Sequence, residues 1–327
     1  MPRRLANLAL LVAVTALLVT GVAAWLLPEG AALPLYQTHR VAGIALVLAL
    51  VWKYAITKRS LRRRGLWRPG VWLGLATTLA LAAAAGLGLA WTAGLVSFDR
   101  PLSYSALNLH VVAALVLGAL VVAHVLARGE RRPPLTTLAG RRAALRGIGL
   151  LAASLVISTG LDRVALARRV TGSRHAGSFT GNAYPVTIWS FDSVPSVDVS
   201  AWRLRVRGAV ASPGELRYDE LASLPRAEQS AILDCTGGWW TEQVWSGPSL
   251  GRLLAARGIA DTAASVEVVS MTGHRWSFDR GLAERAILAT HVGGEALSAG
   301  HGYPLRLVLP TLRGFTWVKW VQDIVVV

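Results

Sequence analysis

The chain of 327 residues contains one cysteine, Cys235, in the stretch Leu233-Asp234-Cys235-Thr236-Gly237-Gly238-Trp239-Trp240. A lone thiol has no intramolecular disulfide partner. One reading makes it a small buried hydrophobe. The other follows from the neighbours: an expected strand, 231–234, ends in the thiol, and two glycines let the backbone turn closely around a ligand. A thiolate is a soft ligand for a transition metal. No second cysteine or local histidine cluster completes a zinc pattern, so a metal here must bring most of its own ligands.

A second group of chemistry-bearing residues lies in the first half: His39, His110 and His124, all within or at the ends of apolar stretches, where ionisable side chains are costly and mark function. His110 and His124 are 14 residues apart on one expected helix, on nearly the same face and about 21 Å apart along its axis. His39 and His110 open two expected spans of the same direction and sit at one level; the pattern resembles that of membrane b-type cytochromes, which implies one haem held between these two near the outer face. Fourteen residues after His39 stands Lys53. A second haem would then use His124 with Lys53, or with an open position, or be absent. Alternatively His124 is an interfacial residue and Lys53 snorkels to the surface. The arrangement resembles cytochrome b561, which implies haem b.

The elements that must hold these groups divide the chain. Residues 1–165 carry a net charge of +14 and residues 166–327 a net of +2. The excess charge lies in short runs between apolar stretches, which marks a membrane domain contacting lipid and speaks against nucleic acid. Spans are expected at Leu5–Leu27, Val41–Ile56, Val71–Val96 and Leu107–Ala127. A fifth, Gly147–Leu161, has only 15 residues and must recruit its flanks to cross. The first span reads as a retained helix and not a cleaved signal. Segments 58–68 and 128–146 hold six basic residues each, whereas the opposite loops, 28–37 and 97–106, share only Arg100. Positive charge stays inside. The chain is therefore expected as a multi-pass protein of the cytoplasmic membrane, N-terminus cytoplasmic and C-terminal half extracytoplasmic. Arg141 and Arg142 before the fifth apolar run resemble a twin-arginine export signal, or are ordinary loop charge.

The expected fold is an all-α transmembrane helical bundle of five spans (1–165), a linker (166–180), and a mixed α+β domain (181–327). In the last, 203–208, 266–271 and 306–310 alternate as strands, and short helices are expected near 218–224 and 249–257, the latter stopped by Gly258.

From about residue 178 the chain resembles the molybdopterin domains of the sulfite oxidase superfamily. The resemblance rests on GNAYPVT (181–187), WRLRVRGAVASPGELRYDELASLP (202–225), LDCTGG (233–238), VWSGPSLGRLL (244–254), HGYPLRLVLP (301–310) and WVKWVQDI (317–324). It implies a Mo-molybdopterin cofactor with Cys235 as catalytic thiolate on molybdenum, and His301, Arg306 and Lys319 around the pterin and its phosphate. Asn182 and Tyr184 are implied to line the pocket, with Ser270 or Thr272 as weaker transfers. Strand alternation alone would put Arg306 and Lys319 on the surface. Sulfite-oxidising members continue the cysteine loop with Asn-Arg-Arg, where this chain has Gly238-Trp239-Trp240. That reduces the cationic pocket a sulfite dianion needs, unless Arg275 or Arg313 compensates; aromatic walls suit a neutral substrate. Trp239, Trp240 and Trp245 are read either as those walls or as core.

The domain is also similar to bacterial methionine sulfoxide reductases, which work with a separate haem-bearing membrane subunit. The expected function is a membrane-anchored molybdenum oxidoreductase moving electrons between quinone or quinol, haem b and molybdenum on the outer face, reducing a small S-oxide or N-oxide. Two alternatives stand beside it: a dehydrogenase oxidising sulfite or a similar substrate and feeding quinone, or a haem membrane protein with a non-catalytic outer binding module.

Overall fold

The computed structural model describes residues 3–64, 69–96, 105–128, 141–164, 168–188 and 192–327. It separates into two units, Met1–Gly172 and Ser173–Val327.

The first unit consists of α1 (Arg3–Leu26), α2 (Glu29–Arg64), α3 (Pro69–Thr92), α4 (Ala106–Arg128) and α5 (Arg141–Val164). By length and composition all five are able to cross a membrane, over Ala6–Leu26, Gly30–Ala55, Gly70–Thr92, Ala106–Ala127 and Ala144–Arg163. The fifth apolar run recruits its flanks as expected, Ala144–Arg146 and Asp162–Arg163 extending it to 20 residues. One expectation is corrected. The loop expected at 28–37 is helix from Glu29 onward. Pro28, Gly30 and Pro34 read as breakers, but proline within the opening turns forgoes few backbone bonds. His39 thus lies ten residues inside α2 and does not open it. Arg100, residues 65–68 and most of the basic segment 128–146 fall outside the described residues.

α1 packs along α2, α3 along α4, and α5 against α2. Val14, Leu46 and Leu117 form a buried apolar cluster joining α1, α2 and α4. Arg40 of α2 grips Asp162 of α5 through both guanidinium nitrogens, at 2.6 and 3.1 Å. Such a two-pronged pair fixes geometry better than a lysine would.

The second unit is built on sheets. Strands β4 (Arg226–Asp234) and β5 (Trp239–Pro248) form a hairpin paired from Arg226↔Pro248 to Asp234↔Trp240. β5 also holds β1 (Arg174–His175) in parallel and β9 (His291–Val292), which pairs β10 (Glu295–Ala296). The second sheet runs β3 (Gly214–Arg217), β2 (Arg203–Gly208), β12 (Val321–Val326), β6 (Ser265–Ser270), β7 (Arg275–Asp279). In β2, Leu204 and Val206 point into the core while the alternating arginines point out, as a half-buried strand requires. β8 (Ile287–Ala289) and β11 (Arg306–Val308) make a two-stranded ribbon. Short helices α6 (Tyr218–Ser223), α7 (Leu250–Ala256) and α8 (Arg280–Glu284) fill the connections. α7 starts on Ser249, whose hydroxyl accepts from Arg252 N, and is followed by Gly258 at φ +67°.

The segment expected as a linker does not stay outside this unit. Arg174 N, Ala176 N and Phe179 N donate to the carbonyls of Gly238, Trp240 and Glu242. An exposed edge of β5 offers unpaired backbone groups, and residues 174–179 satisfy them.

Candidate active site

Cys235 leaves the end of β4 and enters a turn tight enough to return as β5 four residues later. Its N donates to the Trp239 carbonyl at 2.8 Å, and Gly238, at φ +90°, donates to the Cys235 carbonyl at 3.0 Å. Gly237 N donates to Cys235 Sγ at 3.3 Å. A Cβ on Gly237 would stand 3.4 Å from that sulfur, so glycine keeps the approach open. The frame behind the loop is polar and buried: Arg313 lies 3.3 Å from the Asp234 carboxylate and 3.3 Å from the Cys235 carbonyl, while Ser173 donates to Asp234 at 2.6 Å.

Three basic side chains face the thiol's surroundings. Arg306, on β11, is 2% exposed, donates to the His301 carbonyl at 2.9 Å, and stacks over Trp245 at 5.3 Å and Trp317 at 5.9 Å. Lys319 has a partly exposed stem, but its ammonium is enclosed by the carbonyls of Thr187, at 2.9 Å, and Gly300, at 2.7 Å. His301 is buried between Ser298 and Tyr184: Nε2 donates to the Tyr184 carbonyl at 3.0 Å, which leaves Nδ1 to accept from the Ser298 hydroxyl at 2.8 Å. The His301 and Tyr184 rings are 4.0 Å apart.

The electrostatics of this cluster favour a bound anion. Burial, then Arg306 and Lys319, pull His301 down to about 4. Burial, reinforced by Arg306, brings Lys319 to about 7, against the pull of Cys235 and Asp192. Burial pushes the Tyr184 phenol up to about 12. Burial also raises the Cys235 thiol, opposed by the Gly237 N–H, the Thr187 hydroxyl, Lys319 and Arg313. Among the described residues, Tyr184 Oη and Arg306 Nε are buried with no hydrogen-bond partner. Buried polar atoms are rarely left so unless a ligand completes them.

The donor set fits molybdopterin: a thiolate for the metal, an arginine fork and a lysine for phosphate, and two orphaned donors for ring heteroatoms. Among the described residues no three His, Cys, Asp or Glu side chains converge on an ion, so a metal at Cys235 relies on ligands it brings.

Other expected site residues take different places. Tyr184 belongs to the cluster. Asn182 does not point its amide into it: Nδ2 donates to Glu295 and the Ala296 carbonyl, and Oδ1 accepts from Ser298 N. It clamps the 181–184 turn to the segment that carries Ser298. Thr272 donates to Asp192 at 2.9 Å and lies 3.1 Å from Ser270. Trp245 is core, fully buried with its indole N–H on the Ala231 carbonyl. Trp239 donates to Thr187 Oγ1 at 3.1 Å, and Trp240 stacks on His175. Thr187, last residue of the GNAYPVT motif, was missed by sequence reasoning. It accepts from Trp239 and offers its own proton to the Cys235 sulfur. Arg313 was considered only as a substrate cation, and its burial against Asp234 makes it part of the frame.

In the helical unit His39 and His110 come together, with ring centroids 6.1 Å apart and planes at 86°. Two rings sharing one ion, at about 2 Å from each facing nitrogen, need about this separation. His39 Nδ1 meets Thr20 Oγ1 at 3.1 Å and His110 Nδ1 meets the Ala84 carbonyl at 2.7 Å. His124 stands 14 residues further along α4, and Lys53 donates to Asn7 of α1 at 2.8 Å. Lys53 is therefore held inside the helical unit by a partner on α1.

Residues 191–327 match the family described as the oxidoreductase molybdopterin binding domain. The second unit is thus similar to molybdenum-dependent oxidoreductases, among them plant sulfite oxidase and bacterial methionine-sulfoxide reductase. Among individual relatives, the chain is 32% identical over 132 residues to the uncharacterized oxidoreductase YuiH of Bacillus subtilis, covering 39% of this chain and 66% of that one. It is 30% identical over 150 residues to a putative protein-methionine-sulfoxide reductase subunit, YedZ1, of Azospira oryzae, covering 45% of this chain and 56% of the relative. It is 31% identical over 148 residues to the protein-methionine-sulfoxide reductase catalytic subunit MsrP of Xanthomonas campestris, covering 39% and 46%. The chain thus spans just under two thirds, or less, of the length of these relatives.

Proposed function

We propose that this chain is a membrane-anchored molybdopterin oxidoreductase that reduces an S-oxide or N-oxide outside the cytoplasm with electrons from the quinol pool, haem b between His39 and His110 serving as its electron carrier. The observation that carries the reading is the set of groups around Cys235: a thiol under two hydrogen-bond donors, near the buried Arg306 and the Lys319 ammonium, with the orphaned Tyr184 Oη and Arg306 Nε beside them. Membrane anchoring is supported by helices that are apolar all round. Val51, Leu79, Leu126 and Val156 are each at least 70% exposed, a pattern stable only where lipid covers the outer faces. The cytoplasmic N-terminus follows from the basic segments, and five spans then put residues 173–327 outside.

The reaction removes one oxygen atom: an S-oxide, two electrons and two protons give the sulfide and water, and quinol supplies both electrons and protons on becoming quinone. Bound molybdopterin would supply the oxygen-atom transfer and bound haem the one-electron steps. The protein's share is positional and electrostatic. Cys235 would hold the metal, Arg306 and Lys319 would neutralise the phosphate, Tyr184 Oη would meet a pterin heteroatom, and Trp239 would offer an aromatic wall. A neutral substrate is favoured because Arg313 is engaged by Asp234 and Cys235.

Cofactor analysis of the purified full-length protein for molybdenum, pterin and haem, followed by turnover assays in both directions, tests this. Molybdenum with S-oxide reduction supports it. Sulfite oxidation coupled to quinone reduction reverses the direction, and a metal-free protein in active membranes makes the outer unit a binding module.

A further inference from the structure

The His39–His110 pair is not symmetrical in what stands behind it, and this asymmetry has a chemical consequence that rests on the haem reading above. Thr20 Oγ1 lies 2.7 Å from the Ala16 carbonyl one turn earlier in α1. A hydroxyl has one proton, and a carbonyl only accepts, so that proton goes to Ala16. The 3.1 Å contact between Thr20 Oγ1 and His39 Nδ1 therefore has the imidazole as donor. On the other side, His110 Nδ1 is 2.7 Å from the Ala84 carbonyl of α3 and must also donate. Both rings are thus fixed as the Nδ1–H tautomer, and both Nε2 atoms carry the lone pair a metal needs.

The neighbouring helices are shaped for this. A Cβ on Gly21 would sit 3.1 Å from His39 Cε1, and one on Gly88 would sit 3.0 Å from His110 Nδ1. A side chain at either position would crowd the ring behind which it stands, so glycine here eases the close approach of α1 and α3. The Nδ1–Cε1 edge of each ring faces its supporting helix, which leaves the Nε2 edge turned away from it. Four helices contribute: α2 and α4 the rings, α1 and α3 the acceptors behind them.

We propose that Thr20 is a positioning residue for the haem, orienting His39 and raising the donor strength of its Nε2 toward, but not to, that of His110. The Ala84 carbonyl is a close acceptor that draws the His110 Nδ1 proton outward and makes that ring the more electron-rich ligand. The Thr20 hydroxyl is a longer contact and adjustable by mutation, whereas the Ala84 carbonyl is backbone and survives any substitution. An acceptor on Nδ1 raises the basicity of Nε2 and stabilises ferric over ferrous iron. Removing the hydroxyl leaves the His39 N–H with only the nearby Leu17 carbonyl, so the ring persists as a weaker donor.

The test uses full-length protein in detergent: wild type, Thr20→Val, Thr20→Ser and His110→Ala. Haem content, the redox midpoint and the ferric electron paramagnetic resonance spectrum are read for each. Thr20→Val is expected to keep haem and move the midpoint upward, by about 59 mV for each tenfold loss of ferric over ferrous preference. Thr20→Ser is expected to return it. A haem-loaded Thr20→Val protein with the wild-type midpoint and spectrum overturns the proposal. So does loss of haem from both Thr20 variants, because then bulk and not the hydroxyl matters. Haem absent from the wild type, or unchanged in His110→Ala, removes instead the assignment of the two histidines on which the proposal stands.

Discussion

Arg313 and Asp234 form an ion pair at 3.3 Å in which both side chains are only 5% exposed, directly behind the cysteine loop. The same guanidinium donates to the Cys235 carbonyl, so the pair sets where the thiol emerges from β4. Removing one member of a buried pair leaves the other charge without compensation. Arg313→Met is expected to destabilise the outer unit by about 3–5 kcal/mol, measured by denaturant unfolding followed through tryptophan fluorescence. Asp234→Asn keeps the shape and should cost less. If Arg313→Met were as stable as wild type but had lost affinity for an anionic substrate, Arg313 would be a substrate cation after all.

Cys235→Ser exchanges a soft ligand for a hard one without altering the fold of the loop. Oxygen-atom transfer is expected to fall below detection, while the visible haem spectrum of the helical unit stays as in wild type. Turnover at the wild-type rate in the serine variant would remove the thiol from the chemistry.

Lys319 gives the site a pH dependence whose sign can be worked out. Its folded value of about 7 lies below the ordinary lysine value of 10.5. Between those values the folded protein without cofactor holds fewer protons than the unfolded chain, so its stability rises with pH across that window and is lowest below 7. An anion reverses the preference: phosphate binding draws a proton onto Lys319 and weakens as pH rises above about 7. Titrating cofactor-free protein with inorganic phosphate at pH 6, 7 and 8.5 by calorimetry is expected to show declining affinity and proton uptake. Lys319→Met should flatten both trends; an unchanged profile in that variant would assign them to another group.

Arg141 and Arg142 open α5, the helix on which the proposed outer location of the second unit depends. Replacing both with lysine preserves charge and helix. If they are an export signal, the outer unit is expected to remain accessible only to cytoplasmic protease; if they are loop charge, external protease will still cut it in spheroplasts.

The helices were legible because crossing a bilayer demands about twenty apolar residues, a signal composition alone carries. β2, β6 and α7 were legible because one face of each is buried and the other is not. What escaped the sequence was burial on both sides. Arg306 alternates with Leu305 and Leu307 as a surface residue would, yet all three residues of β11 are buried. The resemblance implies an inward role for that arginine, and its burial is consistent with one. Helix α2 was begun too late because three local breakers outweighed packing that appears only in three dimensions. Asn182 is implied in the pocket by the family resemblance, but hydrogen bonds to β10 and to Ser298 decide its direction. Thr187 and Thr20 carry no pattern at all; their importance comes from what lies opposite them.

β12 occupies the middle of its sheet, paired with β2 on one side and β6 on the other. Residues 321–326 must therefore be translated before that sheet can close, roughly 8–30 s after Val164 at ordinary ribosome speeds. The β4–β5 hairpin that carries Cys235 belongs to the other sheet and is complete by residue 248. Arg306 and Lys319 lie in the same last stretch as β12, so the cations near Cys235 are supplied only by the end of the chain.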